Sequence, residues 1–142
     1  MRSFIVIFLG LLVSQSLSCD WPWNKKDLPT VKEVNLDKLD GIWYEIARLP
    51  HFWENNCYCI FSVYTVHEDS KSFKMTEGCL LGGPDGRLLK TSHEAVATDE
   101  HRAKYKIGEH WPFKTELDVI DLGDDYEYHV IATPDRCHLW IL

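Results

Sequence analysis

The feature that most constrains this chain is its rhythm. From Gly41 onward, short β-favouring segments alternate with turn signals at nearly regular intervals, and no stretch of any length carries a helical apolar period. The segments fall at 43–49, 57–66, 72–81, 88–98, 102–107, 115–122, 126–132 and 138–142. Gly82-Gly83-Pro84-Asp85-Gly86-Arg87 is the strongest turn between them, and Asp99-Glu100-His101, Gly123-Asp124-Asp125 and Thr133-Pro134-Asp135-Arg136 are of the same kind. Segment 57–66 is rich in β-branched and aromatic residues. Segment 102–107 alternates Ala103, Tyr105 and Ile107 with Arg102, Lys104 and Lys106, the pattern of a half-buried strand. Eight consecutive strands joined by tight hairpins predict an all-β fold, an eight-stranded antiparallel up-and-down barrel. Closure removes the exposed edges of an open sheet. A β-sandwich is the competing arrangement, but it needs a long crossover and the meander offers none. An eight-stranded barrel is either filled by its own side chains or holds one small ligand.

The first strand opens at Leu39-Asp40-Gly41 as a turn or a short helical lead-in, then carries the aromatic pair Trp43-Tyr44. A glycine at 41 allows another backbone or a large ring to approach closely. Trp43, just inside the strand, is a natural plug for one end of a small core.

What precedes the barrel reads as a leader and an arm. Arg2, an apolar run at 4–13 and the triplet Ser16-Leu17-Ser18 predict a secretory signal peptide at 1–18, cut before Cys19. The run is shorter than the ~20 residues that span a bilayer. Residues 19–38 form an N-terminal arm, turn-rich around Trp21-Pro22-Trp23, and 39–142 form the barrel. The export signal predicts a secreted protein. A lipidated Cys19 is the alternative, which would make an outer-membrane lipoprotein of a bacterial chain and its only membrane contact. Leucine sits one place too late in the triplet for the usual lipidation pattern.

Cys19, Cys57, Cys59, Cys79 and Cys137 all follow the leader, so disulfides are expected and one cysteine is left over. Cys57-Tyr58-Cys59 lacks zinc spacing, and no metal site or cofactor is expected. The formal net charge of −7 argues against nucleic acid or an anionic membrane as partner.

Gly41-Ile42-Trp43-Tyr44 resembles the G-x-W-[YF] signature of the lipocalins. The run from there through Glu45-Ile46-Ala47-Arg48-Leu49-Pro50 is similar to the branch that holds the bacterial and plant temperature-induced lipocalins and apolipoprotein D. Asp125-Tyr126-Glu127-Tyr128 through Leu139-Trp140-Ile141-Leu142 is similar to the last two strands of that branch. The resemblance covers roughly 36–142. Of the family's T-D-Y-x-x-Y motif, Asp124 and Tyr128 fill two places, while Gly123 and Asp125 replace the threonine and first tyrosine. Gly41, Trp43 and Tyr128 are thereby assigned structural roles. The family's arginine that stacks on the tryptophan matching Trp43 has no counterpart before Leu142, nor has its C-terminal helix. The expectation is therefore a truncated chain or a closed end built without them.

The resemblance implies binding and transport of a small hydrophobic ligand: a fatty acid, a lysophospholipid, a sterol-like lipid or a pigment. Strand parity from Trp43 places Glu45 and Ala47 inside. Alignment with the family places Ile60, Ser62 and Tyr64 inside, and Cys57, Cys59, Phe61 and Val63 outside. Ala95, Ala97, Tyr105, Ile107, His138 and Trp140 complete the expected ligand-binding wall. Pattern alone leaves pocket and filled barrel equally open; the resemblance favours the pocket. Cys59 and Cys79, outward on neighbouring strands, are expected to pair, as are Cys19 and Cys137, leaving Cys57 odd. No catalytic residue is expected. The alternatives are a lipocalin-type enzyme acting through a cavity-facing thiol, for which Cys57 is the candidate, and a haem or amine binder using His93, His138 or Glu45.

Overall fold

The structure, a computed structural model, describes residues 27–50, 54–69, 71–108 and 115–142. The leader, Cys19 and the two arm tryptophans lie outside the described residues, as does the loop around Trp111. Helix α1 (Leu36–Leu39) is capped by Asn35, whose Oδ1 accepts the Asp37 amide at 3.1 Å, and it buries Leu36 and Leu39. The strands are β1 (Gly41–Tyr44), β2 (Ala47–Arg48), β3 (Cys57–Val66), β4 (Ser72–Leu81), β5 (Arg87–Ala97), β6 (Lys104–Ile107), β7 (Thr115–Leu122), β8 (His129–Ala132) and β9 (Leu139–Ile141).

All neighbours are antiparallel, in the order β1-β3-β4-β5-β6-β7-β8-β9-β2. The two ends of that order belong to one segment. β1 pairs with β3 and β2 pairs with β9. Between them the Glu45 amide still donates to Ile60 O at 3.1 Å, while the Ile46 amide donates to Ile141 O at 2.8 Å. The first strand therefore passes from one neighbour to the other, and nine strand segments make up the eight strands of the expected barrel. The sheet curls back on itself, which sets aside the sandwich.

Strands β3, β4 and β7 span the expected residues. β6, β8 and β9 start later than expected because Arg102, Tyr126 and Arg136 have φ of 56°, 60° and 61°. Each ends a turn in which its amide donates three residues back, to Asp99 O, Gly123 O and Thr133 O. A turn followed by a left-handed residue is a common hairpin closure, and the strand begins only beyond it.

One end of the barrel is sealed by Val34, Leu36 and Leu39, packed with Trp43, Tyr64, Phe73 and Tyr105. The Trp43 indole donates to Leu39 O at 2.8 Å, tying the strand to the helix before it. Gly41 has φ +125°, which L side chains rarely adopt, and nothing lies within 4 Å of where a Cβ would stand. Its glycine serves the backbone bend rather than a close approach.

Tyr128 does not have the structural place expected of it. It is exposed, its hydroxyl 3.3 Å from Asp121 Oδ2. Tyr126 fills that role instead: its hydroxyl accepts the Asn35 amide at 2.8 Å and its ring lies under Lys38.

The cysteine pairing also differs. Cys57 bonds Cys79, and Cys59 is free and exposed. The register of β3 on β4 shifts between Tyr58 and Phe61, with Cys59 at φ 51°. This bulge inserts an extra residue, so Cys57 recovers the inward parity of Ile60. Cys137 is disulfide-bonded, and Cys19, its expected partner, lies outside the described residues.

Candidate ligand cavity

Beyond the sealed end lies a cavity of about 630 Å³. Its wall follows the pleat: Met75, Glu77 and Cys79 from β4, Leu89, Thr91 and His93 from β5, Thr115 and Leu117 from β7. Ile60 of β3, Ile107 of β6, and Thr133, His138 and Trp140 of the last hairpin complete it, with Glu54 and the Cys57–Cys79 bridge. Beneath it, Tyr64, Phe73, Tyr105, Val119, His129 and Ile131 close around a residual void of only about 10 Å³. One half of the barrel is thus filled and the other half hollow.

Of the residues expected on the wall, Ile107, His138 and Trp140 line the cavity. Tyr64 and Tyr105 belong to the packed layer below. Ser62 and Ala95 are buried and Ala97 packs half-buried against the core, none of them on the cavity wall. Ala47 is exposed, contrary to its expected inward position. The break after Tyr44 restarts the alternation, and Arg48 rather than Ala47 turns toward Glu45. Met75, Glu77, Leu89, Thr91 and Leu117 were missing from the sequence reading. Stepping back along β5 by twos from Ala95 reaches His93, Thr91 and Leu89, so strand parity alone would have found those three.

The carboxylates of Glu45, Glu54 and Glu77 lie close enough to act on one another. Arg48 ion-pairs with Glu45, whose side chain is only 6% exposed, and its Nε lies 3.1 Å from Glu54 Oε2. The third guanidinium nitrogen, Nη2, donates to Glu54 O at 3.3 Å. The Glu77 side chain makes no hydrogen bond or ion pair among the described residues. Burial, then the charges of Glu54 and Glu45, push its carboxyl up to about 7. Elsewhere on the wall, Thr91 Oγ1 and His93 Nε2 are 3.2 Å apart. Thr133 Oγ1 is 3.3 Å from His138 Nδ1, and His138 stacks on Trp140.

At the sealed end, His129 Nε2 lies 3.1 Å from the Tyr64 hydroxyl and its ring meets Trp43 edge-on, centroids 4.2 Å apart. Its Nδ1 is buried without a partner among the described residues, and burial lowers its pKa to about 4. Burial, with Glu77 and Tyr105 adding to it, holds the Tyr64 hydroxyl well above the usual tyrosine range.

An antiparallel sheet curled into a cup, sealed by a short helix and hollow above it, defines a class of small-molecule binding proteins. A lipocalin-like domain model matches residues 34–142, and the chain belongs to the lipocalin family, whose members bind small hydrophobic ligands. The outer membrane lipoprotein Blc of Citrobacter freundii is 30% identical over 128 residues, covering 89% of this chain and 71% of that one. Temperature-induced lipocalin-1 of Arabidopsis thaliana is 28% identical over 132 residues, covering 83% of this chain and 67% of its own. Among solved structures, insecticyanin from the tobacco hornworm Manduca sexta superposes with a TM-score of 0.58 at 22% identity, over 82% of this chain and 66% of that one.

Proposed function

We propose that this protein binds and carries a small hydrophobic ligand, drawn from fatty acids, lysophospholipids, sterol-like lipids or pigments, inside the barrel and without chemistry of its own. The observation that carries this reading is the 630 Å³ cavity, which falls within the ~300–1,000 Å³ typical of ligand sites. Its apolar floor of Met75, Ile107 and Leu117 and its scatter of polar groups have the usual composition of such a site. Burial supplies the affinity: apolar area leaving water contributes about 25 cal/mol per Å², and a preformed wall costs little ordering.

Binding is favoured over thiol catalysis because Cys57, the cavity-facing cysteine, is bonded to Cys79 and the free Cys59 is exposed. A structural disulfide also supports export to an oxidising compartment. The naming of a relative as an outer membrane lipoprotein keeps lipid anchoring through Cys19 as the alternative to free secretion.

Trp140 on the wall is a built-in reporter. Titration with a lipid panel should quench tryptophan fluorescence saturably, and Trp140→Phe should lose most of that signal while still retaining ligand in gel filtration. If no lipid quenches or co-elutes, the cavity does not bind in this way.

A further inference from the structure

We propose that Met75 sets the length of chain this cavity accepts, its side chain being the stop on which the tail end of a single-chain lipid rests. The inference rests on the binding reading above and names the residue that decides which members of the ligand class fit.

The hollow and the filled halves of the barrel meet at three residues. Met75, Ile107 and Leu117 line both the cavity of about 630 Å³ and the void of about 10 Å³ beneath it. Each strand crosses the boundary at one inward position. On β4, Phe73 lies below Met75 and Glu77 above it. On β7, Val119 lies below Leu117 and Thr115 above it. On β6, Tyr105 lies below Ile107. The first polar groups therefore stand one inward step above an apolar floor. A chain enters tail first, because a polar head pressed onto that floor would lose its hydrogen bonds.

Below the floor there is nowhere for a tail to go. Tyr64 and Phe73 have ring centroids 4.9 Å apart, and Phe73 and Tyr105 5.2 Å apart, so the rings form a continuous layer. The void among them has room for about one water molecule, far less than an alkyl chain needs.

Of the three floor residues, Met75 is the one built as a stop. It is 4% exposed, and its backbone is held on both sides, opposite Tyr64 on β3 and His93 on β5. Its side chain is unbranched and the longest of the three, so it reaches furthest over the ring layer. Ile107 and Leu117 carry their bulk in branches closer to the backbone. With the rings packed beneath it, the thioether has no space to fold down before an arriving tail. Cutting it back to Ala removes three heavy atoms and bares the ring layer, a gain in depth of roughly three methylenes.

The test is a series of n-alkanols from octanol to octadecanol in one-carbon steps, each below its solubility limit, by calorimetry on the full protein. Each methylene that enters the cavity should tighten binding about fourfold. Methylenes added beyond the cavity's length stay in water and add nothing, so the wild-type series should break at one chain length. Met75→Ala should move that break up by about two or three carbons. Met75→Leu, a swap that cores tolerate, draws the tip back by one atom and should move the break by about one carbon. A wild-type series with no break overturns the proposal, and so does a folded Met75→Ala that changes affinity equally at every length with the break unmoved. Should Met75→Ala not fold by circular dichroism, Met75→Leu decides by the same criterion. If no alkanol binds the wild type, the binding reading fails and takes the stop with it; an unmoved break refutes the stop and leaves the cavity standing.

Discussion

His129, buried, and Glu77, half-buried, are two titratable groups that pull stability in opposite directions. His129 is held neutral, its pKa lowered from 6.5 to about 4. Unfolding raises it again, so between those values the unfolded chain binds the extra proton and stability rises with pH. Its contribution is full above pH 6.5 and is lost as pH falls toward 4, a swing of about 3 kcal/mol. Glu77 is raised from 4.5 to about 7, so the folded chain binds the extra proton and its contribution is full below 4.5 and lost as pH rises toward 7. The two slopes largely cancel between 4.5 and 6.5. Urea unfolding across that range should therefore give a flatter profile for the wild type than for Glu77→Gln, which should gain stability as pH rises. Parallel profiles would show that Glu77 titrates as an ordinary surface acid. Neither residue was singled out by sequence as part of the site. The ring of His129 meets the Trp43 indole edge-on at the sealed end.

Strand positions were legible because turn chemistry and β-propensity are local. β3, β4 and β7 could be bounded to the residue from turn residues and β-propensity together. Facing was legible only where a strand is regular. The break after Tyr44 and the bulge at Tyr58–Phe61 each reverse parity, and neither is marked by a glycine or proline. Both are demanded by neighbours distant in sequence: one segment must leave β3 for β9, and Cys57 must reach Cys79. That is why Ala47 and Cys57 were placed wrongly, while Ile60, beyond the bulge, was placed correctly. The bulge makes a plain prediction. The Cys57–Cys79 bridge closes a sequence separation of 22, so Cys57→Ser should cost about 3 kcal/mol. Cys59→Ser should stay within about 0.5 kcal/mol and abolish the thiol that Ellman's reagent detects. Non-reduced peptide maps joining Cys59 to Cys79 would contradict the register described here.

The barrel is not equally strong around its circumference. β4 aligns ten residue pairs with β5, whereas the closing seam between β2 and β9 aligns two, Ala47 with Ile141 and Arg48 with Trp140. The backbone bonds from Ile46 to Ile141 and from Leu49 to Leu139 extend it only slightly. Local opening should begin where few backbone bonds and little packing must be lost. Amides at 46–49 and 139–141 should therefore exchange well before those of β4. The cavity straddles this contrast, with Trp140 and His138 beside the seam and Met75 and Glu77 on the strong wall. A ligand touching both sides must be released before the seam can part. Saturating the cavity at about a hundred times Kd stabilises the fold by about 2.7 kcal/mol, roughly 10 °C in Tm for a domain of this size. Seam amides should therefore gain as much exchange protection as those of β4, because both openings release the ligand. Hydrogen exchange with and without dodecanol separates the cases. Slowing at 46–49 and 139–141 is expected, and slowing confined to the other strands would mean that the seam parts with the ligand still bound.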